Sequence, residues 1–306
     1  MTDPLRYGLV GTGTWARAVH LPGAAAAEVV RPAAVLGRNL DRADALAATV
    51  PGMRGFTDVD EFLREVDIVA FAVAPEVQVD LAIRAARAGK PVLLEKPVAT
   101  TATAARDLER EIGAAGVPSI VFFTALLSPD WAEWIAGLGR RDDLWFVQTR
   151  SLSTLMRDPG DPFHDSPWRH QRGALWDIAP HDLALAVIAL GPVAEVSATR
   201  GPGDLTIVST RHAAGERASL TVALDAPIGD SSKALFGAGP REEPPEIPDW
   251  NASALAAVST ALVALVERVH DPAPHPLDIR LGTHVVEVLA AAEASVSSGR
   301  SVAVPL

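Results

Sequence analysis

The chain reads as an α/β protein in two halves: a doubly wound parallel sheet in residues 1–123 and an α/β half with a largely antiparallel, open sheet in residues 124–306. Three observations predict this. In the first third, short apolar runs alternate with alanine-rich amphipathic segments, the pattern of βαβ units on a parallel sheet. Farther on, candidate strands follow one another across Gly and Pro turns with a single helix interrupting, which favours antiparallel pairing. The length of 306 residues fits about two domains at roughly 150 residues each.

Taken in order, the first-half strands are Arg6 to Val10, Ala33 to Leu36, Ile68 to Val73, Val92 to Leu94 and Ser119 to Phe123. Val77 to Ala88 has helical spacing and stops at Gly89, a residue that closes a helix cheaply in the left-handed conformation. In the second half the strands are Leu144 to Ser151, Val193 to Arg200, Asp204 to His212 and Arg217 to Asp225. Within Leu220 to Leu224, Leu, Val and Leu alternate with Thr and Ala, giving one buried face and one free to serve as a dimer surface. Gly237 to Pro248 is a Gly-, Pro- and Glu-rich loop, and helices over Ala252 to Val269 and Ile279 to Ser297 close the chain.

Composition removes several classes of function. Hydrophobic residues at 48% and charged residues at 21% describe a folding chain, not a disordered one. With 27 Lys and Arg against 38 Asp and Glu the formal charge is −11, which repels nucleic acid and anionic membrane. Cysteine is absent, excluding disulfides, thiol nucleophiles and thiolate zinc sites. The start lacks a charged region leading into a long apolar stretch, and no later run suggests the ~20 apolar residues of a bilayer span. The expectation is a cytoplasmic protein with a small-molecule partner and neither nucleic acid nor membrane.

Tyr7 to Val10 lead into Gly11-Thr12-Gly13-Thr14-Trp15-Ala16: a strand, a tight glycine turn and a helix start. Gly11 makes the turn, and Gly13 lets the backbone approach a pyrophosphate resting on the helix N-terminus. The second strand chooses the cofactor, since NAD sites place a carboxylate at its end and NADP sites a cation. Here Gly37-Arg38-Asn39 follows, with no acid until Asp41, so Arg38, with Arg42 one turn on, favours NADP over NAD. The competing reading makes both arginines a solvated face and Asn39 a helix cap.

Val92 to Leu94 is a buried strand ending in Glu95-Lys96-Pro97, and ligands in such sheets sit off the carboxyl ends of the strands. Lys90, Lys96 and Lys233 are the chain's lysines, every other cation being arginine. Lys96 therefore offers a compact, tunable ammonium that the arginines cannot. Asp177 and His181 stand four apart, which on a helix puts both on one face. An imidazole there can exchange the proton that accompanies hydride transfer. The spacing serves equally a capping Asp177, a first-turn Pro180 and a half-buried packing His181. No metal site is expected, since no third ligand arrives at a suitable spacing.

Gly11 to Trp15, Glu95-Lys96-Pro97, Trp168-Arg169 and Gly173 to His181, in this order and at these intervals, resemble the Gfo/Idh/MocA oxidoreductase family. The likeness runs nearly end to end, including Ala291 to Val304. It implies an N-terminal Rossmann domain and a C-terminal domain whose open sheet forms homodimer or homotetramer contacts. It further implies that Lys96 contacts nicotinamide and substrate, that Lys96-Pro97 is cis, and that Asp177 and His181 bind substrate and carry acid/base chemistry. Trp168 and Arg169 fall near the cofactor, and Ala74, Pro75 and Glu95 complete the dinucleotide set with Thr12 and Thr14.

Departures fall at Ala179 and Ala184, in place of a glycine and an aspartate for which Asp182 partly substitutes, at Gln78 in place of a histidine, and at Phe123 to Leu126. Tyr7, the single tyrosine, lies in the first strand and cannot serve as proton donor. The polar loop Ser153 to Arg172 is expected to border the substrate, with an ordinary solvated loop as the alternative. The expected activity is hydride transfer between NAD(P) and a sugar, cyclitol or related small polyol or carbonyl, the alternative being a non-enzymatic NAD(P)-binding regulator on the same fold.

Overall fold

The computed structural model describes residues 3–138, 141–271 and 273–306. Its packing groups Met1–Asp130 with Ile247–Thr283 as one compact unit and Trp131–Glu246 with His284–Leu306 as another.

In the first unit β1 (Leu5–Val10), a π-helical turn (Ala16–His20) running into α1 (Leu21–Ala26), β2 (Val30–Leu36), α2 (Leu40–Ala47), β3 (Arg54–Phe56), α3 (Val59–Glu65), β4 (Ile68–Phe71), α4 (Pro75–Arg87), β5 (Val92–Glu95), α5 (Ala102–Ala115) and β6 (Ser119–Phe122) follow in order. The strands form one parallel sheet in the order β3-β2-β1-β4-β5-β6. β4, β5 and β6 are buried at every residue, as expected of a parallel sheet covered on both faces. The helices between them are capped locally. Asn39, Asp58 and Thr101 each accept a backbone N–H at a helix start, and Gly89 (φ 73°) and Gly116 (φ 65°) follow helix ends. The order reverses between β1 and β4, which opens a crevice off their carboxyl ends.

The second unit contains α6 (Ala132–Leu138), β7 (Phe146–Leu152), α7 (Pro167–Asp177), α8 (Ala179–Leu190), β8 (Val193–Arg200), β9 (Thr206–His212), β10 (Arg217–Ala223), β11 (Asp230–Phe236) and β12 (Val302–Ala303). Its sheet runs β11-β7-β10-β9-β8-β12, antiparallel throughout except for the parallel pair β7 and β10. α7 and α8 cover one face, against which Leu220 and Val222 are fully buried. On the other face Thr221 pairs in register with Ile207, which is 42% exposed.

Three expectations change. β3 and β11 escape the sequence reading, because Arg-Gly-Phe is too short to show alternation and Asp-Ser-Ser-Lys opens an edge strand with polar residues. The packing does not divide at residue 123. α9 (Trp250–His270) buries Ala254, Ala257, Val258, Ala261, Leu262 and Leu265 and packs on α1, β5 and β6, so this late helix belongs to the first unit. Gly23 marks the contact, since a Cβ there would lie 2.6 Å from Val258. The division then falls inside α10 (Ile279–Ser298). Finally, two stretches are long and apolar enough to match a membrane span, Pro167–Leu190 and Trp250–His270. The first is broken at Gly173 and 67% buried in its most apolar part, and core helices meet the same criterion.

Candidate functional site

The crevice between β1 and β4 is a cleft of about 660 Å³ in the first unit. Gly11 leaves β1 at φ 123°, and a Cβ there would lie 2.4 Å from the Ala72 carbonyl oxygen, so the turn admits glycine alone. A Cβ on Gly13 would meet nothing within 4 Å, so Gly13 is open for a ligand to approach the backbone. Thr12, Thr14 and Ala74 also line the cleft, while Pro75 is buried as the first residue of α4. Arg17, Arg38 and Arg42 line it as well, and no carboxylate does. Among the described residues none of the three guanidinium groups has an ion-pair partner. Asn39 caps α2 by accepting the Arg42 N–H at 2.9 Å, so the capping alternative holds for Asn39 and leaves both arginine side chains at the cleft. Arg17 and Thr57 are the polar lining residues the sequence reading missed; helical spacing from Gly13 could have found the first.

Lys96 follows β5, next to β4, whose following residues Ala72 and Val73 line the cleft. The Lys96-Pro97 peptide is cis. Glu95 is turned inward: its Oε1 accepts the Trp15 indole N–H at 2.6 Å and lies 2.8 Å from His20 Nε2, and its Oε2 accepts the Lys96 N–H at 3.2 Å. The carboxylate and indole thus tie the glycine-turn helix to the lysine turn. Gln78, fully buried on α4, bonds the backbone of the same turn. Tyr7 is fully buried, which pushes its phenol pKa up and removes it as a proton donor near neutrality.

In the second unit Asp177 ends α7 and His181 lies in the first turn of α8, which opens at Ala179, with Ile178 in helical conformation between the two helices, so the four-residue spacing runs along an almost continuous helix. Asp177 is not a cap: its Oδ2 accepts the Arg169 Nε–H at 2.8 Å, with only 9% of its side chain exposed. Arg169 also lies over the Phe163 ring, 4.7 Å from its centroid. Trp168, beside it, is half-buried, and its indole N–H has no partner among the described residues. α7 breaks at Gly173 (φ 66°) and restarts where Asp204 Oδ2 accepts the Ala174 N–H at 2.9 Å. Asp204 also accepts the N–H groups of Leu224 and Asp225, and sequence pattern gives no signal for a cap supplied from thirty residues away. Burial, then a hydrogen bond that protonated Asp204 donates to the Asp225 side chain, raises its pKa above the ordinary carboxylate value.

The departures from the family pattern are packing positions. Ala179 and Ala184 are fully buried in α8. Asp182 is buried, accepts the Ser151 hydroxyl at 2.9 Å and lies 3.0 Å from the Lys233 ammonium. In the loop after β7, Asp158 and Asp161 accept the N–H groups of Gly160 and Phe163 and so make turns.

This architecture and cleft are those of a Rossmann-type α/β fold. Residues 5–123 match the family model described as oxidoreductase family, NAD-binding Rossmann fold, of Gfo/Idh/MocA type. Over those residues, about two fifths of the chain, the sequence is similar to the Gfo/Idh/MocA oxidoreductases. An uncharacterized protein of Saccharomyces cerevisiae is 29% identical over 211 residues, 64% of this chain and 58% of that protein, so the chain spans less than two thirds of its length. Inositol 2-dehydrogenase of Rhizobium meliloti is 27% identical over 247 residues, 78% of this chain and 72% of the enzyme. Among solved structures, a levoglucosan dehydrogenase in complex with NADH and levoglucosan superposes with a TM-score of 0.83 over 99% of this chain and 100% of the other, at 18% identity, a likeness of fold.

Proposed function

We propose that the chain is an NADP-preferring oxidoreductase acting on a secondary alcohol or carbonyl of a sugar, cyclitol or related small polyol. The observation that carries the reading is the cleft: a glycine turn open to a pyrophosphate, walled by three arginines and no carboxylate. A 2′-phosphate there gains charge-assisted bonds from Arg38 and Arg42, and a ribose hydroxyl finds no carboxylate. The names of the inositol and levoglucosan dehydrogenases support the substrate class.

The dinucleotide, when bound, supplies or accepts the hydride. Gly11, Thr12, Gly13 and Thr14 hold its phosphates, and Trp15 and Glu95 brace the helix and turn that flank it. Lys96 stabilises the oxyanion developing on substrate, and His181 exchanges the hydroxyl proton. Asp177, oriented by Arg169, binds substrate hydroxyls; Trp168 and Arg169 complete that segment. The regulatory alternative loses its support, since Gln78, Ala179 and Ala184 are latch and packing positions. We further place the protein in the cytoplasm as a homodimer or homotetramer through the open face of the second sheet, where Thr221 and Ile207 lie.

The test is NADPH oxidation against a panel of aldoses, ketoses and keto-inositols, with NADP⁺ reduction against the matching polyols. Lys96→Met and His181→Asn are each expected to lower kcat by about 10²–10⁴. Arg38→Ser is expected to weaken NADPH and not NADH, and equal weakening of both would remove the 2′-phosphate assignment.

A further inference from the structure

The lysine turn carries a feature that the dinucleotide motif does not explain. β4 pairs with β5 at Val92 and Leu93, whereas β6 follows β5 as far as Glu95. On the β4 side the strand partner has ended before Glu95 is reached. Gln78 fills the gap. Its Oε1 accepts the Glu95 N–H at 2.8 Å, and its Nε2 donates to the Glu95 carbonyl at 2.9 Å and the Val98 carbonyl at 3.3 Å. One fully buried amide thereby acts as a short strand and grips the chain on both sides of Lys96-Pro97.

A buried amide fills space at a cost that an apolar side chain avoids, because each polar atom left unbonded keeps its full desolvation penalty. Leucine or methionine would pack a helix against a strand without that penalty. Among the described residues, all the bonds the Gln78 side chain makes go to backbone groups of the lysine turn, so that side chain holds the turn. The helix that carries it reaches the dinucleotide cleft with other residues: Ala74, Val77 and Leu81 line it. α4 thus contacts the cleft along one stripe and the lysine turn through the next residue in sequence.

We propose that Gln78 is a positioning residue for Lys96, fixing the backbone from which the ammonium extends. This rests on the reading of Lys96 as a catalytic residue. The side chain of Glu95 is fixed independently by Trp15 and His20, so Gln78 governs the peptide groups and Glu95 the helix contact. A displacement of the order of 1 Å at a reacting group is enough to lower turnover about 10²-fold, which is the scale on which such a clamp acts.

The chain has three lysines, which makes the test direct. In protein labelled with ¹³C-lysine, three side-chain signals are expected, with Lys96 assigned through Lys96→Arg. Lys90 donates to the Val66 carbonyl and Lys233 pairs with Asp182, so both serve as internal controls. Gln78→Met, which keeps the volume and removes the three bonds, should move the Lys96 signal and leave the other two. It should also lower kcat about tenfold or more without a matching loss of NADPH affinity by fluorescence titration. Gln78→His, which retains a ring donor and acceptor, should restore part of both; if methionine prevents folding, the histidine variant carries the comparison with wild type.

An unmoved Lys96 signal and unchanged kcat in a folded Gln78 variant would overturn the proposal. If the signal moves but Lys96→Met turns over like wild type, the positioning stands and the catalytic reading of Lys96 fails. The two are thereby separated.

Discussion

The glycine-turn cleft and the Asp177–His181 segment are built by opposite means. The cleft is mostly backbone: a glycine turn at the end of β1 and the residues after β4, with side chains contributing charge around it. The Asp177–His181 segment is held by side chains, with Arg169 of the same helix on Asp177 and Asp204, thirty residues away, on the break at Gly173. A site made by backbone conformation needs particular small residues at fixed spacing. A site made by side-chain brackets can take its supports from anywhere in the fold.

The sharpest way to break this contrast is at the two glycines of the turn. Gly11→Ala forces a Cβ to 2.4 Å from the Ala72 oxygen at a backbone φ of 123°. Strain of this kind costs about 1–3 kcal/mol, and dinucleotide affinity should fall about ten- to hundredfold with the thermal midpoint. Gly13→Ala meets no protein atom within 4 Å, so the midpoint should hold while NADPH affinity falls, because the methyl occupies the approach to the pyrophosphate. Thermal unfolding and fluorescence titration read the two effects separately. Wild-type NADPH affinity in Gly13→Ala would mean that the cleft does not take the dinucleotide this way.

The bracketed segment should respond differently. Arg169→Met removes a charge-assisted bond to a nearly buried carboxylate, and an unfolding free energy lower by about 1.5–3 kcal/mol is expected in urea. Arg87→Met breaks a 2.7 Å pair with Glu111 in which the arginine is 64% exposed, and should leave the urea midpoint nearly unchanged. Equal losses in the two variants would show that burial of Asp177 adds nothing to its pairing.

The same contrast explains what could be read in advance. Gly11, Gly13, Arg38 and Lys96 announced themselves because a turn, a strand end and a helix start leave marks at neighbouring positions. The segment from Gly173 to His181 was found by its resemblance, and spacing alone left capping and catalysis open. Its supports were illegible: nothing near Asp204 in sequence shows that its carboxylate restarts a helix at Ala174. Gln78 looked like a departure until the missing strand partner of Glu95 gave it a task. α9 showed the apolar periodicity of a packed helix, but periodicity names no partner, and it lies on the first unit's β5 and β6.

The smallest predicted effect concerns that remote bracket and its pH dependence. Three backbone N–H groups favour the charged form of Asp204, while burial and the Asp225 hydrogen bond oppose it, and the opposing effects prevail, raising its pKa above 3.8. The native state then keeps a proton that the unfolded chain has already released, from pH 3.8 upward to the raised midpoint. Stability from this group is therefore present at the acid side of that window and falls as pH rises through it. Asp204→Asn keeps an acceptor for Ala174 and cannot ionise, so the difference in unfolding free energy between wild type and variant should shift in the variant's favour with rising pH. Because protonated Asp204 donates to the Asp225 side chain, Asp225→Asn should move the midpoint of that change without removing it. A difference that stays constant across the window would mean that Asp204 ionises as it does in the unfolded chain, and that its bracket on Ala174 is charged throughout.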